Sequence, residues 1–201
     1  MARLQAERSE DRRRAIMNAA LPLFTEKGLA GTAVEDIRTR AKASIGSIYH
    51  HFGSKEGVAR ALYAEAIESY QEELASFLRS GPDAASGVKG IVTNFLAWVA
   101  EHRDLAQLML GAEHAELRRL AMGDVRRLNR RLMTDVGAWL ARCSGELSAF
   151  PPDVLLCAVL GSAYRFAQMW VSGRAHTPIE KASRLLARAA WDGLGGLKGS
   201  A

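Results

Sequence analysis

The sequence predicts an all-α fold, and three observations support this prediction. Apolar residues recur at intervals of three and four along most of the chain, which is the period of an amphipathic helix. Runs of alternating β-branched residues, which would indicate strands, are not evident. Gly, Pro and Ser fall between the periodic segments, where they end one helix and begin the next.

The first predicted helix begins at Ser9, a good N-cap residue, and ends at Gly28, which favours a left-handed stop. Pro22 lies inside this helix and predicts a kink. A short second helix follows over 33–41. The apolar face of the first helix contains Ile16, Ala20, Leu23 and Phe24.

After the turn at Lys42, a third helix begins at the capping residue Ser44 and ends before Gly53. Ser54 caps a long fourth helix over 55–79, whose apolar stripe predicts packing along one side. Further helices are expected at 84–101, 104–111, 113–143, 152–172 and 178–192. The start of the last one is marked by Thr177 as N-cap, Pro178 in the first position and Glu180 in a capping box.

Composition and charge narrow the class of protein. The 201 residues are 48% hydrophobic and 24% charged, which is typical of a globular chain and excludes disorder or low complexity. No apolar run approaches the ~20 residues that span a bilayer. A secretory signal is not evident, and two cysteines, Cys143 and Cys157, are too few for a disulfide framework. We therefore expect a cytoplasmic protein.

The basic charge is concentrated in the first third of the chain. Residues 1–60 hold 11 Lys and Arg against 7 Asp and Glu, whereas the rest of the chain is nearly neutral within a total of +5. A polyanion-binding segment shows this asymmetry, and so does a solvated basic terminus.

The segment 32–55 has the dimensions of a helix-turn-helix unit, in which the second helix reads DNA. Ile48 and Phe52 lie four residues apart and mark the buried side of that helix. The same geometry turns Ile45, Gly46, Tyr49 and His50 outward.

The segment from about Arg12 to Val58 resembles the DNA-binding domain of the tetracycline-repressor (TetR) family of bacterial transcriptional regulators. Two positions depart from the family pattern. Lys42 stands where the family usually has Gly, so a non-Gly residue is expected at positive φ, and Arg38 replaces a small residue, either as a phosphate contact or as a solvated charge. The resemblance is carried by Ala19-Ala20, Leu23-Phe24, Glu26-Lys27-Gly28, Thr32, Val34, Asp36-Ile37, Ala41, Ser44, Gly46-Ser47-Ile48-Tyr49, His51-Phe52 and Ser54-Lys55-Glu56.

The resemblance implies a three-helix DNA-binding head over 1–56 and a helical ligand-binding and dimerisation domain over 57–201. Gly46 would allow close approach of the backbone to bases, and Ile45 would touch a thymine methyl. Lys55 is the firmest expected phosphate ligand, because a cation in the first turn of a helix conflicts with the dipole unless an anion binds there. The predicted DNA contacts are Thr32, Ser44, Ile45, Gly46, Ser47, Tyr49, His50, His51 and Lys55.

Some of these residues have a second interpretation. Thr32 either contacts a phosphate or simply caps the second helix, and Ser44 is chiefly a cap. The basic side chains Arg8, Arg12, Arg13 and Arg14 form either a DNA-binding arm or a solvated charge run. Six further arginines, which we expect on a solvated helix face, are Arg118, Arg119, Arg126, Arg127, Arg130 and Arg131.

In this family the later helices enclose an effector, so the resemblance implies a pocket lined by Trp, Met and His side chains, although core packing is the commoner explanation for any one of them. The candidate effector residues are Phe95, Trp98, Met109, His114, Met133, Trp139, Tyr164, Phe166 and Trp170. Wide apolar faces on the last two helices predict a two-fold contact. The candidate dimer residues are Leu156, Val159, Leu160, Ala163, Ile179, Leu185, Leu186 and Ala189.

We therefore expect a homodimeric, ligand-responsive regulator, most simply a repressor released from operator DNA by a lipophilic small molecule. The main alternative is a constitutive or architectural DNA-binding protein without an effector. An all-α enzyme is a weaker alternative, because no nucleophile-elbow, Walker, Rossmann or zinc-ligand motif is present. No metal or cofactor is expected. The sequence leaves open the effector, the operator, the target genes and an activator role.

Overall fold

In the computed structural model, residues 2–111, 115–143, 145, 147 and 150–197 are described, and this part of the chain contains α-helices and no strand. The all-α prediction is confirmed. The helices are α1 (Ala2–Gly31), α2 (Val34–Ala41), α3 (Ile45–Phe52), α4 (Lys55–Arg79), α5 (Ala84–Glu101), α6 (Arg103–Leu110), α7 (Ala115–Leu120), α8 (Met122–Arg142), α9 (Pro152–Val171) and α10 (Ile179–Leu197).

The chain divides into two compact units. The head unit contains Met1–Ala66 and Asp104–Asp124, and the body unit contains Ile67–Arg103 and Val125–Ala201. The division along α4 therefore falls ten residues beyond the expected boundary at residue 56. It also places α6 and α7 in the head unit, although the sequence assigned them to the second domain.

The first helix begins earlier than expected, and its helical geometry is broken at Gly28, where the sequence predicted the stop. Ser9 lies inside α1, because the preceding residues, rich in Ala, Arg, Leu and Gln, are good helix formers that extend it to Ala2. The backbone does not leave helical geometry at Pro22, where a kink was expected. That departure occurs at Gly28, with φ 71° and ψ 168°, a conformation that glycine adopts at little cost.

The core of the head unit forms around α1, α2 and α3. Phe24, Ile37 and Ile48 are buried, which confirms the predicted core face. Phe52 is only half-buried, and the Arg13 guanidinium lies 5.7 Å from the centre of its ring. The charged group therefore covers the part of Phe52 that the core leaves exposed.

The segment expected as one helix over 113–143 contains two helices, α7 and α8, with a turn at Ala121 between them. Ala121 is buried. At the other end of the chain, α10 begins at Ile179, one residue later than expected, and Ala182 donates its backbone N–H to the Pro178 carbonyl at 3.0 Å. Pro178 therefore precedes the first helical residue.

In the body unit, α5 packs against α9 and α10. Two glycines of α5 allow close approach of large rings: a Cβ at Gly87 would overlap the Trp139 ring, and one at Gly90 would overlap the Phe77 ring. Both positions therefore require glycine for packing, and α5 is the central helix of this unit.

One helix of the described chain, α9, is long and apolar enough to cross a membrane by length and composition alone. The expectation that no such run exists was therefore wrong. Leu155, Val159 and Ala163 of this helix are buried in the body unit, while the opposite side carries Arg165, a residue that is costly in hydrocarbon.

Candidate nucleic-acid interface

The turn between α2 and α3 has the left-handed conformation that its position requires. Lys42 has φ 48° and ψ 41°, so a non-Gly residue does occupy the positive-φ position. The Ala43 N–H donates to the Arg38 carbonyl at 3.1 Å, and the Arg12 guanidinium donates to the Lys42 carbonyl at 3.2 Å. These hydrogen bonds stabilise the turn in which Lys42 adopts the left-handed conformation, and they join the end of α2 to the residues just before α3.

Both helices of the motif have side chains that satisfy their first backbone N–H groups. Ser44 accepts a hydrogen bond from the Ser47 N–H at 3.0 Å, which confirms it as the cap of α3. At α2 the Asp36 carboxylate accepts from the Ala33 N–H at 3.0 Å and lies 3.3 Å from the Lys27 ammonium. The hydrogen bond from the Ala33 N–H is the main cause that lowers the pKa of Asp36, and the hydrogen bond from Lys27 is the second cause.

The outward face of α3 is as predicted. Ile45 and Tyr49 are 44% and 51% exposed, and Gly46 and His50 are also exposed. Ser47 and His51 are half-buried, and their neighbour Ile48 is fully buried. The ring centres of His50 and His51 lie 5.2 Å apart. The helix thus presents two apolar side chains, an imidazole and a stretch of bare backbone to solvent.

Gly46 lies on this face without a packing reason within the described chain. A Cβ built there would meet only the Ser44 hydroxyl oxygen, at 3.9 Å, which is ordinary van der Waals contact. By contrast, a Cβ at Gly57 would overlap the Phe52 carbonyl oxygen where α3 joins α4. Glycine is therefore demanded by the fold at Gly57 and not at Gly46.

The structure gives Thr32 an internal role. Its side chain is 1% exposed, and its hydroxyl lies within hydrogen-bond distance of the Leu23 and Gly28 carbonyls, at 3.1 and 2.8 Å. The N-cap of α2 is Ala33. The expected cap role is therefore corrected, and the Thr32 hydroxyl is bonded to carbonyls at the end of α1. A phosphate contact at the N-terminus of α2 stays a prediction.

Lys55 is also placed differently from the prediction. Its ammonium donates to the carbonyls of Leu29, Ala30 and Thr32 at 2.9, 3.4 and 2.7 Å. An ammonium has three N–H donors, so these carbonyls take the full set. Carbonyl oxygens of the same chain therefore offset the conflict with the α4 dipole, and the phosphate contact of Lys55 stays a prediction.

Several basic side chains near the motif are paired within the protein. Arg14 lies 2.7 Å from the Glu65 carboxylate, and Arg38 lies 2.6 Å from that of Glu35. The Arg38 hydrogen bond lowers the pKa of Glu35. Arg38 is thus a surface ion-pair partner, and its phosphate contact stays a prediction, whereas Arg40 and Lys42 are exposed.

The six arginines expected on a solvated face mostly lie there. Five are exposed, and Arg131 is 3.5 Å from the Glu72 carboxylate in the body unit. Arg118, in the head unit, is half-buried and donates to the Gly111 carbonyl at 2.7 Å. Arg118 therefore has a structural role at the end of α6.

Three of the effector candidates are core residues in the body unit. Phe95, Trp98 and Trp139 are 3%, 0% and 0% exposed. The Trp98 indole N–H donates to the Ser69 hydroxyl at 3.1 Å, and that of Trp139 donates to the Pro82 carbonyl at 3.0 Å. The two indoles are therefore satisfied within the fold, as core packing predicts.

The other effector candidates do not form one group. Met109 belongs to the head unit, Met133 is 36% exposed on α8, and His114 lies outside the described residues. Phe166 and Trp170 are half-buried on α9, and the Arg103 guanidinium lies 4.7 Å from the centre of a Trp170 ring.

An aromatic cluster in the body unit includes a residue that the sequence did not single out. The Tyr70 ring centre is 5.2 Å from that of Phe95 and 6.0 Å from a Trp98 ring, and Tyr164 stacks on Phe95 at 6.2 Å. The Tyr70 hydroxyl oxygen is buried with no hydrogen-bond partner in the described chain, and burial raises the pKa of this phenol. The sequence placed Tyr70 only in an apolar stripe, which carries no signal of an unpaired hydroxyl.

A groove of about 250 Å³ lies between α5 and α10 of the body unit. Its lining includes Leu96, Ile179 and Glu180, and none of the predicted effector residues borders it. The sequence contains no motif at these positions that would have indicated a groove.

The dimer candidates face in different directions. Val159, Ala163 and Ile179 are buried in the body unit at 0%, 0% and 5% exposure, so they are corrected to core residues. Leu156, Leu160 and Leu186 are half-buried, while Leu185, at 57%, and Ala189 are exposed. The exposed side of α9 instead carries Val154, Cys157, Ala158 and Gly161.

A short, capped helix that follows a left-handed turn and exposes its apolar and imidazole side chains defines a helix-turn-helix protein. Residues 16–62 match the model of the bacterial regulatory proteins of the tetR family. This segment of the chain is thus similar to the DNA-binding domain of tetR-family transcriptional regulators.

Relatives and solved structures agree with this assignment. The HTH-type transcriptional repressor KstR2 of Rhodococcus jostii is 32% identical over 96 residues, which cover 47% of each chain. The HTH-type transcriptional regulator HbdR of Aromatoleum sp. is 27% identical over 164 residues, covering 80% of this chain and 69% of the relative. The matched region thus spans about half the length of KstR2.

Among solved structures, the regulator FadR of Bacillus subtilis, in complex with stearoyl-CoA, superposes with a TM-score of 0.72 at 19% identity. This match covers 90% of this chain and 98% of the FadR chain. A TetR-like regulator of Rhodococcus sp. RHA1 gives a TM-score of 0.70 at 23% identity, over 92% and 96% of the two chains. At these identities the likeness concerns the fold.

Proposed function

We propose that this protein is a homodimeric transcriptional repressor that binds operator DNA through α3 and leaves it when a lipophilic small molecule binds the body unit. The observation that carries the DNA-binding part is the exposed face of α3. It combines Ile45, Tyr49 and His50 with a glycine, Gly46, that packing within the chain does not demand.

The chemistry of this face suits the major groove of DNA. Ile45 offers methyl groups to thymine, while the Tyr49 hydroxyl and the His50 imidazole offer hydrogen bonds to phosphates or base edges. Gly46 lets the helix backbone approach the bases closely. The exposed Arg40 and Lys42 supply positive charge at the end of α2.

Selective binding requires two heads, because one recognition helix of eight residues reads only a few base pairs. We place the two-fold contact on the exposed apolar side chains of α9 and α10. Val154 and Leu185 are 50% and 57% exposed, and small neighbours such as Gly161 allow close approach of a second copy. This contact also accounts for the high apolar content of α9 better than a membrane does, since Arg165 lies on the exposed side.

The effector is expected in the body unit near Tyr70. A buried phenol without a partner costs free energy that a ligand acceptor would recover, and the surrounding Phe95, Trp98 and Tyr164 favour an apolar ligand. The complex of FadR with stearoyl-CoA supports a lipophilic class. Such a ligand causes release only if it binds the DNA-incompetent state more tightly.

The proposal requires neither a cofactor nor a catalytic residue, and it assigns the protein to the cytoplasm, where operator DNA lies. The alternative of a constitutive DNA-binding protein without an effector differs in one measurable property: no small molecule would then release the operator.

The experiment begins by selecting the operator from a library of random duplexes and measuring its affinity. Tyr49→Ala and His50→Ala should each weaken operator binding about tenfold or more, in line with ~1–3 kcal/mol for a base contact. Leu120→Ala removes another exposed apolar side chain of the head unit and is the matched control. Selection of no preferred duplex by the wild-type protein would refute the proposed function.

A second measurement tests the effector. Fatty acids and acyl-CoA thioesters are screened for a rise in melting temperature, which follows from binding to the folded state alone, and the same compounds are added to the operator complex. The proposal expects stabilising compounds to release DNA. Stabilisation without release would favour the constitutive alternative.

A further inference from the structure

The ammonium of Lys55 binds the corner where α1 ends and α2 has not yet begun, residues 28–33. It donates to the carbonyls of Leu29, Ala30 and Thr32 at 2.9, 3.4 and 2.7 Å. These residues precede Lys55 by 23 to 26 positions, so the bonds join the start of α4 to a remote part of the head unit.

The electrostatics of this contact are favourable at one end and unfavourable at the other. The last carbonyls of a helix lack intrahelical partners and carry partial negative charge, which a cation neutralises. The start of α4 carries the opposite partial charge and repels the ammonium. The long lysine side chain removes this conflict by reaching away from its own helix to the corner.

A second set of hydrogen bonds, made by the Thr32 hydroxyl, also stabilises this corner. Gly28 departs from helical geometry at φ 71°, and the Thr32 hydroxyl lies 3.1 and 2.8 Å from the Leu23 and Gly28 carbonyls. Thr32 and Lys55 together therefore contact five carbonyl groups in and just before the corner. Lys55 links this corner to α4.

The start of α4 is fixed on its other side by the recognition helix. Ser54 caps α4 by accepting from the Gly57 N–H at 3.1 Å. Gly57 lies so close to the Phe52 carbonyl oxygen that no Cβ would fit. The first turn of α4 thus contacts the end of α3 through Gly57 and the corner before α2 through Lys55.

We propose that Lys55 is a positioning residue for operator reading, not a phosphate ligand: it holds the start of α4 against the corner at 28–33, so that α2 and α3 are presented to DNA in one orientation. This inference rests on the proposed DNA-binding function. A phosphate contact and a positioning role differ in what they do to selectivity and to salt dependence.

A lost phosphate contact weakens all duplexes about equally and reduces the slope of log affinity against log salt by roughly one. A lost positioning contact leaves the charges that face DNA in place. It disturbs the register of α3 with the bases, so affinity for the operator falls while affinity for an unrelated duplex does not.

The test compares Lys55→Met with Lys89→Met, which makes the same chemical change at an exposed lysine of the body unit. Both proteins are titrated against the selected operator and a 30-base-pair duplex of unrelated sequence, at several salt concentrations. Circular dichroism at the assay temperature and a stoichiometric titration establish the folded, active fraction, so that a mere loss of stability does not alter the measured affinities.

We expect Lys55→Met to lower the ratio of operator to unrelated-duplex affinity about tenfold, the equivalent of one charge-assisted hydrogen bond, with the salt slope on the unrelated duplex unchanged. Lys89→Met should alter neither. Equal weakening of both duplexes with a slope smaller by about one would overturn the inference in favour of a phosphate contact. Unchanged selectivity would overturn it as well.

If Lys55→Met does not fold, Lys55→Gln is measured by the same criteria, because its amide retains two N–H donors without the charge. Selectivity above one for the wild-type protein is required by the proposed function itself. A wild-type protein without selectivity would therefore refute the function, whereas a selective wild type with an equally selective Lys55 variant would refute only the positioning role.

Discussion

Replacing Gly46 by alanine should stabilise the head unit and weaken operator binding at the same time. The new Cβ would lie 3.9 Å from the Ser44 hydroxyl oxygen, with no closer contact in the described chain. Alanine in a helix is favoured over glycine by roughly 0.5–1 kcal/mol. Because Gly46 is near the start of α3, we expect about 0.5 kcal/mol, or about 1–2 °C in melting temperature for a chain of this size.

The effect on DNA has the opposite sign. If the backbone at Gly46 approaches the bases, a methyl group there separates the helix from the groove and weakens neighbouring contacts. The loss of one base contact corresponds to ~1–3 kcal/mol, so operator affinity should fall about tenfold or more. Affinity for an unrelated duplex, held by phosphate contacts, should change little.

The assay combines thermal unfolding with titration of the operator and an unrelated duplex. Gly57→Ala is the contrasting variant, because its Cβ would overlap the Phe52 carbonyl oxygen and should lower the melting temperature. If Gly46→Ala gains stability while its operator affinity is unchanged, the inference that the backbone at Gly46 approaches the bases is refuted.

Three further predictions concern the body unit. Tyr70→Phe removes a buried hydroxyl without a partner in the described chain and should raise the free energy of unfolding by about 1 kcal/mol, as measured by denaturant titration; a loss of stability would show that the hydroxyl is satisfied. Leu185→Glu changes a side chain that is 57% exposed, so the subunit should fold and sediment as a monomer, whereas Val159→Glu should unfold it; a dimeric Leu185→Glu would exclude this interface. The Ser86 N–H lowers the pKa of Asp83, so its stabilising effect is present above the unfolded-state pKa and is lost as pH falls through the folded-state value; the melting temperatures of wild type and Asp83→Ala should therefore differ at pH 7 and converge once the pH is below the folded-state pKa of Asp83.

Much of the head unit could be predicted from the sequence. The bounds of α2 and α3, the cap at Ser44, the positive φ of Lys42 and the outward face of Ile45 and Tyr49 all follow from local patterns. These features depend on the helical period and on hydrogen bonds between residues a few positions apart, which the sequence displays directly.

The direction of the α9 face was harder to infer. Apolar residues occur on both sides of this helix, so the period alone does not indicate which side enters the body unit. The structure buries Val159 and Ala163 and exposes Val154 and Cys157. The sequence therefore predicted an apolar interface helix, but the predicted interface residues lie on both sides of that helix.

Most of the helices, the helix-turn-helix unit and its similarity to a known family could be inferred from the sequence, because periodicity, caps and motif residues are properties of short segments. Three features instead depend on tertiary contacts: Lys55 and Thr32 bind carbonyls at the end of α1, the Tyr70 hydroxyl has no partner among the described residues, and α6 and α7 lie in the head unit. Each of these depends on groups brought together from distant positions in the chain. A polar side chain binds whichever partner folding places within hydrogen-bond distance, and the residue type alone does not specify that partner.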